Sequence, residues 1–199
     1  MSLSNHDGEL LVRAARTAVT EYLKTRKKII LQEDFKSKFS YNSGVFVTLN
    51  KEENLRGCIG FPTPVKKLYQ SLVDAAIASA TEDPRFPSVR FEELNEISFE
   101  VTILTTPEEV KVTNPLEYLS KIKVGRDGLI VKWEFGSGLL LPQVPIEYGW
   151  NEEEFLNHTC EKAGAPQDCW KRKGTKILRF EGIVFKETKP HGNVVKVSL

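Results

Sequence analysis

The run Ile97-Ser98-Phe99-Glu100-Val101-Thr102-Ile103 alternates apolar and polar residues without a break. Strand side chains point to opposite faces in turn, so the run predicts a half-buried strand. Upstream, Val45 to Leu49 and Leu55 to Phe61 favour strand and flank the polar stretch Asn50-Lys51-Glu52-Glu53-Asn54. Together they predict a hairpin. Leu10, Leu11, Ala14, Ala15, Ala18, Val19, Tyr22 and Leu23 recur at helical spacing and predict an amphipathic helix. Arg13, Arg16, Lys24, Arg26, Lys27 and Lys28 fall on its far face and end, where cations suit the helix dipole. Thr63-Pro64 reads as the N-cap and first residue of a second helix. It runs through Leu68, Leu72, Ala76 and Ala80 and stops before Pro84. Gln32 to Ser43 is polar, dotted with aromatics, and receives no assignment.

After Thr106-Pro107 the texture changes. Asn114-Pro115 opens a short helix through Ile122. Gly128 to Phe135 and Leu139 to Leu141 read as strands joined by Gly136-Ser137-Gly138. Asn151 with Glu154 is a capping box that starts a helix ending near Gly164. Lys176 to Lys186 and Val194 to Val197 close the chain as strands.

A chain of 199 residues allows one domain with an appendage, or two small lobes. With 28 basic and 27 acidic residues its formal charge is +1, which gives no global reason to bind nucleic acid or an anionic membrane. No run nears the ~20 apolar residues of a membrane span. The first residues, Met1 to Asp7, lack a basic start and an apolar run, so no secretory leader is expected. Three cysteines, Cys58, Cys160 and Cys169, argue against a disulfide framework, and reduced thiols fit a cytoplasmic address. A single methionine hints at a heat-adapted source, where intracellular disulfides do occur.

The segment that asks for chemistry is Leu55-Arg56-Gly57-Cys58-Ile59-Gly60. Strict alternation places Leu55, Ile59 and Phe61 on one face with Gly57. Arg56 and Cys58 then share the other face, beside Gly60. Two glycines weaken a strand unless something approaches its backbone closely. A cation beside a thiol stabilises thiolate and lowers its pKa. A recognition or nucleophile site and a small buried cysteine between tight packing points both fit.

This hexapeptide resembles the signature of the AMMECR-domain family. So do Gly44 to Leu49, Asp83-Pro84-Arg85-Phe86-Pro87, the Ile97–Leu104 strand, Leu140 to Val144 and Lys162-Ala163-Gly164. The resemblance runs from about Leu10 to Glu187. It implies an α+β fold of two unequal lobes, each an antiparallel sheet with helices, with the signature facing a cleft between them. The large lobe would hold 1–106 and 175–199, and the small lobe 107–174. The cleft would receive a protein or another large ligand. Memo-like and radical-SAM proteins are the partners that family association suggests. No cofactor and no reaction follow from the resemblance.

Arg56, Gly57, Cys58, Gly60, Asp83, Arg85 and Gln143 are the candidate ligand-binding residues. Cys58, Arg56 and Glu100 are the candidates for catalysis. Glu100 either orients Arg56 or is a carboxylate on a solvated sheet face. Asp83 is the second candidate partner for Arg56, and Phe86 reads as a core anchor. Gln143 lies in an apolar run and needs a hydrogen-bond partner, from a ligand or from its own loop. His158 and Cys160 are two apart on a helix and face different ways, and no fourth zinc ligand has the usual spacing. A Cys160–Cys169 disulfide stays open, because spacing alone cannot establish one. His6, His158 and His191 carry no family motif that would pair them with Cys58. Trp170-Lys171-Arg172-Lys173 reads either as a solvated turn with Trp170 in the core or as a nucleic-acid contact.

Overall fold

The computed structural model describes residues 3–197. Met1, Ser2, Ser198 and Leu199, assigned above to the large lobe, lie outside the described residues. The architecture is α+β, with antiparallel strands and helices in two compact units. One unit comprises the described residues up to Leu104 and those from Ile183 onward. The other spans residues 105–182. The two units meet in the chain at Leu104/Thr105 and at Gly182/Ile183, the second point lying within the last long strand.

In the first unit, α1 (Asn5–Thr25) opens with a capping box between Ser4 and Asp7. It ends at Arg26, whose φ of 60° is left-handed. A short helix α2 (Glu33–Lys38) occupies the stretch that had no assignment. Strands β1 (Gly44–Lys51) and β2 (Asn54–Phe61) form the expected hairpin, and β3 (Ile97–Leu104) pairs with the other side of β1. Helix α3 (Leu68–Thr81) begins later than Thr63-Pro64 predicts. There Val65 N–H bonds Thr63 carbonyl in a tight turn, and Leu68 N–H bonds Tyr41 carbonyl. The final strands are β7 (Lys176–Glu187) and β8 (Val194–Val197), which pair with each other.

Alternation sorts the faces as expected. Val45, Val47 and Leu49 of β1 are buried with Ile97, Phe99, Val101 and Ile103 of β3. They join Leu11, Ala15 and Val19 of α1 and Leu72, Ala76 and Ala80 of α3 in one core. Phe46, Thr48 and Asn50, with Ser98 and Glu100 opposite, occupy the face away from that core.

Arg16 departs from the solvated-cation reading of α1. Its guanidinium is buried and bidentate to Glu187 of β7, with Nε 2.9 Å from Oε1. It also donates to the carbonyls of Leu94 and Ile97 and lies over the Phe99 ring. Glu187, in turn, accepts from the Phe99 backbone N–H at 3.0 Å.

The second unit holds β4 (Glu108–Glu109), α4 (Tyr118–Lys121), β5 (Asp127–Trp133), β6 (Gly136–Leu140), α5 (Gln143–Tyr148) and α6 (Glu152–Lys162). The first part of β7 pairs with β4 and β5, and β5 with β6. Gly136 to Gly138 belong to β6 rather than to the turn. A Cβ at Gly138 would strike the backbone of Lys162 and Ala163, so the glycine lets the end of α6 lie directly on the strand. Cys160 of α6 is bonded to Cys169, which corrects the expectation of wholly reduced thiols. The turn at Gly164 and Pro166 folds the 3-10 helix Gln167–Lys171 back onto α6 and brings the two together. Trp170 is buried, and its Nε1 donates to Asn157 at 2.8 Å.

Two stability outcomes follow from this fold. Glu187→Gln leaves the buried Arg16 without its counter-charge and should cost about 3–5 kcal/mol in denaturant unfolding. The β1–β2 turn holds Glu52 and Glu53 at φ of 50° and 64°. Left-handed backbone penalises a Cβ by about 1–2 kcal/mol, so Glu53→Gly should stabilise by about 1 kcal/mol in the same assay.

Candidate functional site

The signature strand is irregular at the point that matters. Leu49 opposes Gly57, whereas Asn50 opposes Leu55, so Arg56 is an extra residue in β2. Such a bulge bends the strand and re-aims its side chains. The alternation expected from Leu55 therefore holds only from Gly57 onward. Directly opposed residues share a sheet face. Ile59 and Phe61 oppose the buried Val47 and Val45, while Cys58 and Gly60 oppose Thr48 and Phe46. Gly57 faces α3, where a Cβ would fall on the Ser79 carbonyl oxygen. At Gly60 a Cβ would strike the Phe46 ring.

Cys58 sits at the centre of a cluster. Its Sγ is 3.3 Å from Thr48 Oγ1. Its backbone N–H donates to Asp83 Oδ2 at 2.8 Å, and its carbonyl accepts from Arg85 Nη2 at 3.4 Å. Both backbone groups point away from β1, so Asp83 and Arg85 bracket the free edge of β2. The bracket is internally fixed: Arg85 Nε and Nη2 reach the two Asp83 oxygens at 2.9 and 2.7 Å, and Arg85 N–H caps Oδ1 at 3.0 Å. Asp83 is buried while the Arg85 side chain remains 54% exposed. The guanidinium also lies over the half-buried Phe86 ring. Val89, not Phe86, is the buried apolar anchor of this loop.

Arg56 has a partner that the sequence did not nominate. Its Nε and Nη2 donate to Glu93 at 3.1 and 3.4 Å, and its Nη1 donates to the Pro87 carbonyl at 2.9 Å. Asp83 bonds Arg85 and the Cys58 backbone. Glu100 opposes Thr48 from β3, so Cys58, Thr48 and Glu100 form one cross-strand row. Gln143 lies in the other unit, at the first turn of α5, where its Oε1 is buried. The histidines have surroundings of their own. His6 is exposed, His191 is beside Arg16, and His158 stacks on Trp150 and bonds Glu161.

The electrostatics run against an activated thiol. Burial pushes the Cys58 thiol above its ordinary value, outweighing the Thr48 hydrogen bond and the Arg85 charge, while Glu100 and Asp83 push the same way as burial. Arg56 is spent on Glu93, whose carboxyl burial raises but Arg56 and the Arg90 backbone draw down on balance. Asp83 is held well below the ordinary carboxylate range, first by Arg85 and then by the Cys58 and Arg85 backbone donors. Among the described residues no cluster of three or more histidine, cysteine or acidic side chains is arranged to hold a metal. Thr48 and Glu93 are the members that sequence reasoning missed. Thr48 was legible only if the bulge had been known, and Glu93 lies in a separate 3-10 helix, Phe91–Asn95.

A two-unit α+β chain with a Leu-Arg-Gly-Cys-Ile-Gly edge strand, bracketed by an Asp-Pro-Arg loop, defines the class. The chain belongs to the AMMECR1 family, whose model matches residues 12–185. It is 49% identical to protein MJ0810 of Methanocaldococcus jannaschii over 99% of this chain and 98% of that one. It is 53% identical to protein PYRAB00100 of Pyrococcus abyssi, covering 96% of each. The crystal structure of the uncharacterized protein PH0010 from Pyrococcus horikoshii matches with a TM-score of 0.89 and 51% identity. That match covers 96% of this chain and 97% of the other. No helix among the described residues is long and apolar enough to cross a membrane.

Because the folded pKa of Asp83 lies below its unfolded value, its contribution is complete above about pH 4 and is lost as pH falls further. Arg85→Met should lower stability at pH 7 by about 1 kcal/mol, a value discounted for the exposure of the guanidinium. It should also flatten the acid limb of stability against pH, read by urea unfolding from neutral pH downward.

Proposed function

We propose that the Cys58 face is a recognition site and the chain a binding module for a protein or other large ligand. The observation that carries this reading is the state of the signature itself. Its cation is engaged by Glu93 and Pro87, and burial pushes its thiol pKa up. A nucleophile needs the opposite, a thiol poised as thiolate beside an unengaged cation. What the face offers to a ligand is the outer side of Arg85, fixed in direction by Asp83, next to a neutral thiol and the Thr48 hydroxyl. A guanidinium held in this way suits a carboxylate or a polypeptide carbonyl. The second reading, an enzyme or modification-system component using Cys58 with Arg56, draws on the Cys58–Thr48–Glu100 row, in which a carboxylate stands one strand beyond the hydroxyl.

Thiol alkylation against pH separates the two. Cys58 should react slowly at pH 7 and gain rate only above the free-thiol value of about 8.5. Arg85→Met should move that rise further up, because Arg85 is the cation that lowers the thiol pKa. Arg56→Met should leave it in place. Polypeptides retained from a lysate by the wild-type chain should be lost with Arg85→Glu. A thiolate already formed below pH 7, or a covalent adduct at Cys58 on the isolated chain, would transfer the argument to the enzyme reading.

A further inference from the structure

The segment between α1 and α2 is unlike the rest of the first unit. Lys28 to Gln32 runs without helix, turn or bend, and its exposure alternates. Ile29 and Leu31 pack against the core, while Lys28, Ile30 and Gln32 point outward. It is a strand in pattern, and among the described residues no strand pairs with it. Ile30 is 92% exposed, an extreme value for a large apolar side chain. Scattered exposed apolar residues are ordinary, but this one stands between two open grooves. On the α1 side a groove of about 670 Å³ is lined by Leu10, Ala14, Ile29, Leu31 and Phe35. On the α3 side a second, of about 500 Å³, is lined by Ile29, Leu31, Tyr69 and Val73.

The charges around this apolar centre are segregated. Arg26, Lys27 and Lys28 precede it; Glu33 and Asp34 follow it, with Lys36 and Lys38 beyond them taken up by Glu33 and Asp7, and Glu21 also lines the α1-side groove. Lys28 is engaged by Asp74, and Glu33 by Lys36. Among the described residues, Lys27 and Asp34 have no ion pair. A strip that is basic at one end, apolar in the middle and acidic at the other matches itself when turned through 180°. Such self-complementarity is what a two-fold interface requires, since the same patch must serve both copies.

We propose that this strip is the contact surface of a homodimer. The exposed Ile30 of each copy seats in the α1-side groove of its twin. The two strips run in opposite directions, which sets the Lys27 end of one against the Asp34 end of the other. Knob and hole belong to one patch, so the contact closes at two copies and leaves no apolar residue free to propagate it. This inference stands apart from the recognition site, because none of its residues touches the Cys58 cluster.

The test is sedimentation of the full chain over a series from about micromolar to millimolar, the range in which a small contact of this kind becomes populated. Wild type should form a dimer that weakens with salt, as exposed ion pairs are screened. Ile30→Asp should weaken association by about 100-fold or more, as expected for loss of a central apolar anchor. Its melting temperature in dilute solution should not change, since the side chain is exposed in the single copy. Lys27→Glu and Asp34→Lys should each weaken association about tenfold when alone, through like charges set across the two-fold axis. Mixed in equal amounts they should restore it, because both junctions then pair opposite charges. A wild-type chain that stays monomeric at millimolar concentration overturns the proposal and leaves the strip to a foreign partner. So does a dimer indifferent to Ile30→Asp, or a mixture that associates no better than either variant alone.

Discussion

The Arg16–Glu187 pair joins parts of the first unit that are far apart in the chain. Arg16 comes from the first helix and Glu187 from the end of β7, and both are buried. Around them converge the Leu94 carbonyl at the end of the 3-10 helix, the Ile97 carbonyl at the start of β3, and the Phe99 N–H. Arg13 reaches the same carboxylate and the Gly192 carbonyl. Each remaining polar atom of the pair is met by a donor or acceptor, which is the condition under which a buried ion pair is tolerable. The geometry then dictates placement. Helix α1 can lie on the sheet only where Arg16 reaches these carbonyls, and β3 takes the register in which Phe99 N–H meets Glu187. The core of Val47, Leu49, Phe99 and Val101 against Leu11, Ala15 and Val19 closes around that fixed point.

The site inherits this frame through β3 and β1, and then departs from regularity at Arg56. A two-residue turn at Glu52–Glu53, continued without a bulge, would oppose Leu49 with Arg56 and Val47 with Cys58. Both would then face the helices, and a one-residue slip of this kind moves every side chain to the wrong face. The extra residue returns Cys58 and Gly60 to the face of Thr48 and Phe46. It also leaves Arg56 free to reach Glu93 and Pro87. Gly57 has no side chain because the C-terminal turn of α3 lies against it at Ser79. The last strand of a sheet exposes backbone donors and acceptors, and such edges invite unwanted pairing. Here Asp83 and Arg85 cover that edge at Cys58, and the same two residues give the thiol its charged surroundings.

Local patterns made much of this legible. Alternation in β1 and β3, the spacing of α1, the capping box of α6 and the Asn114 cap all depend on neighbours within a few residues, and all fall where they were expected. The departures arise where a distant group decides. Thr63-Pro64 has the form of a helix start, but the chain is held through Leu68 by Tyr41, and α3 begins beyond it. Arg16 looked like one cation among several until β7 supplied an acid. The Cys160–Cys169 pairing stays open in the sequence because their meeting depends on the left-handed turn at Gly164. Gly136 and Gly138 looked like a loop because the approach of α6 to β6 cannot be read from the strand alone.

The sequence carries, in local patterns, the class of the fold, the family and the segment singled out as the candidate site. Periodicity and capping are local, and the hexapeptide with its Asp-Pro-Arg loop is distinctive as written. It also determined which residue types would meet there: a thiol, glycines, an acid and arginines. Long-range packing sets who pairs with whom. It gave Arg56 to Glu93, gave Asp83 and Arg85 to the Cys58 backbone, and placed Thr48 against the thiol. The physical reason is that a hydrogen bond needs its partners within about 3 Å, and that distance is set by register, bulge and helix docking together. Each of these depends on contacts many residues away. The protonation of Cys58 belongs to the same category, since burial is a property of everything packed around the sulfur and not of its neighbours in the chain.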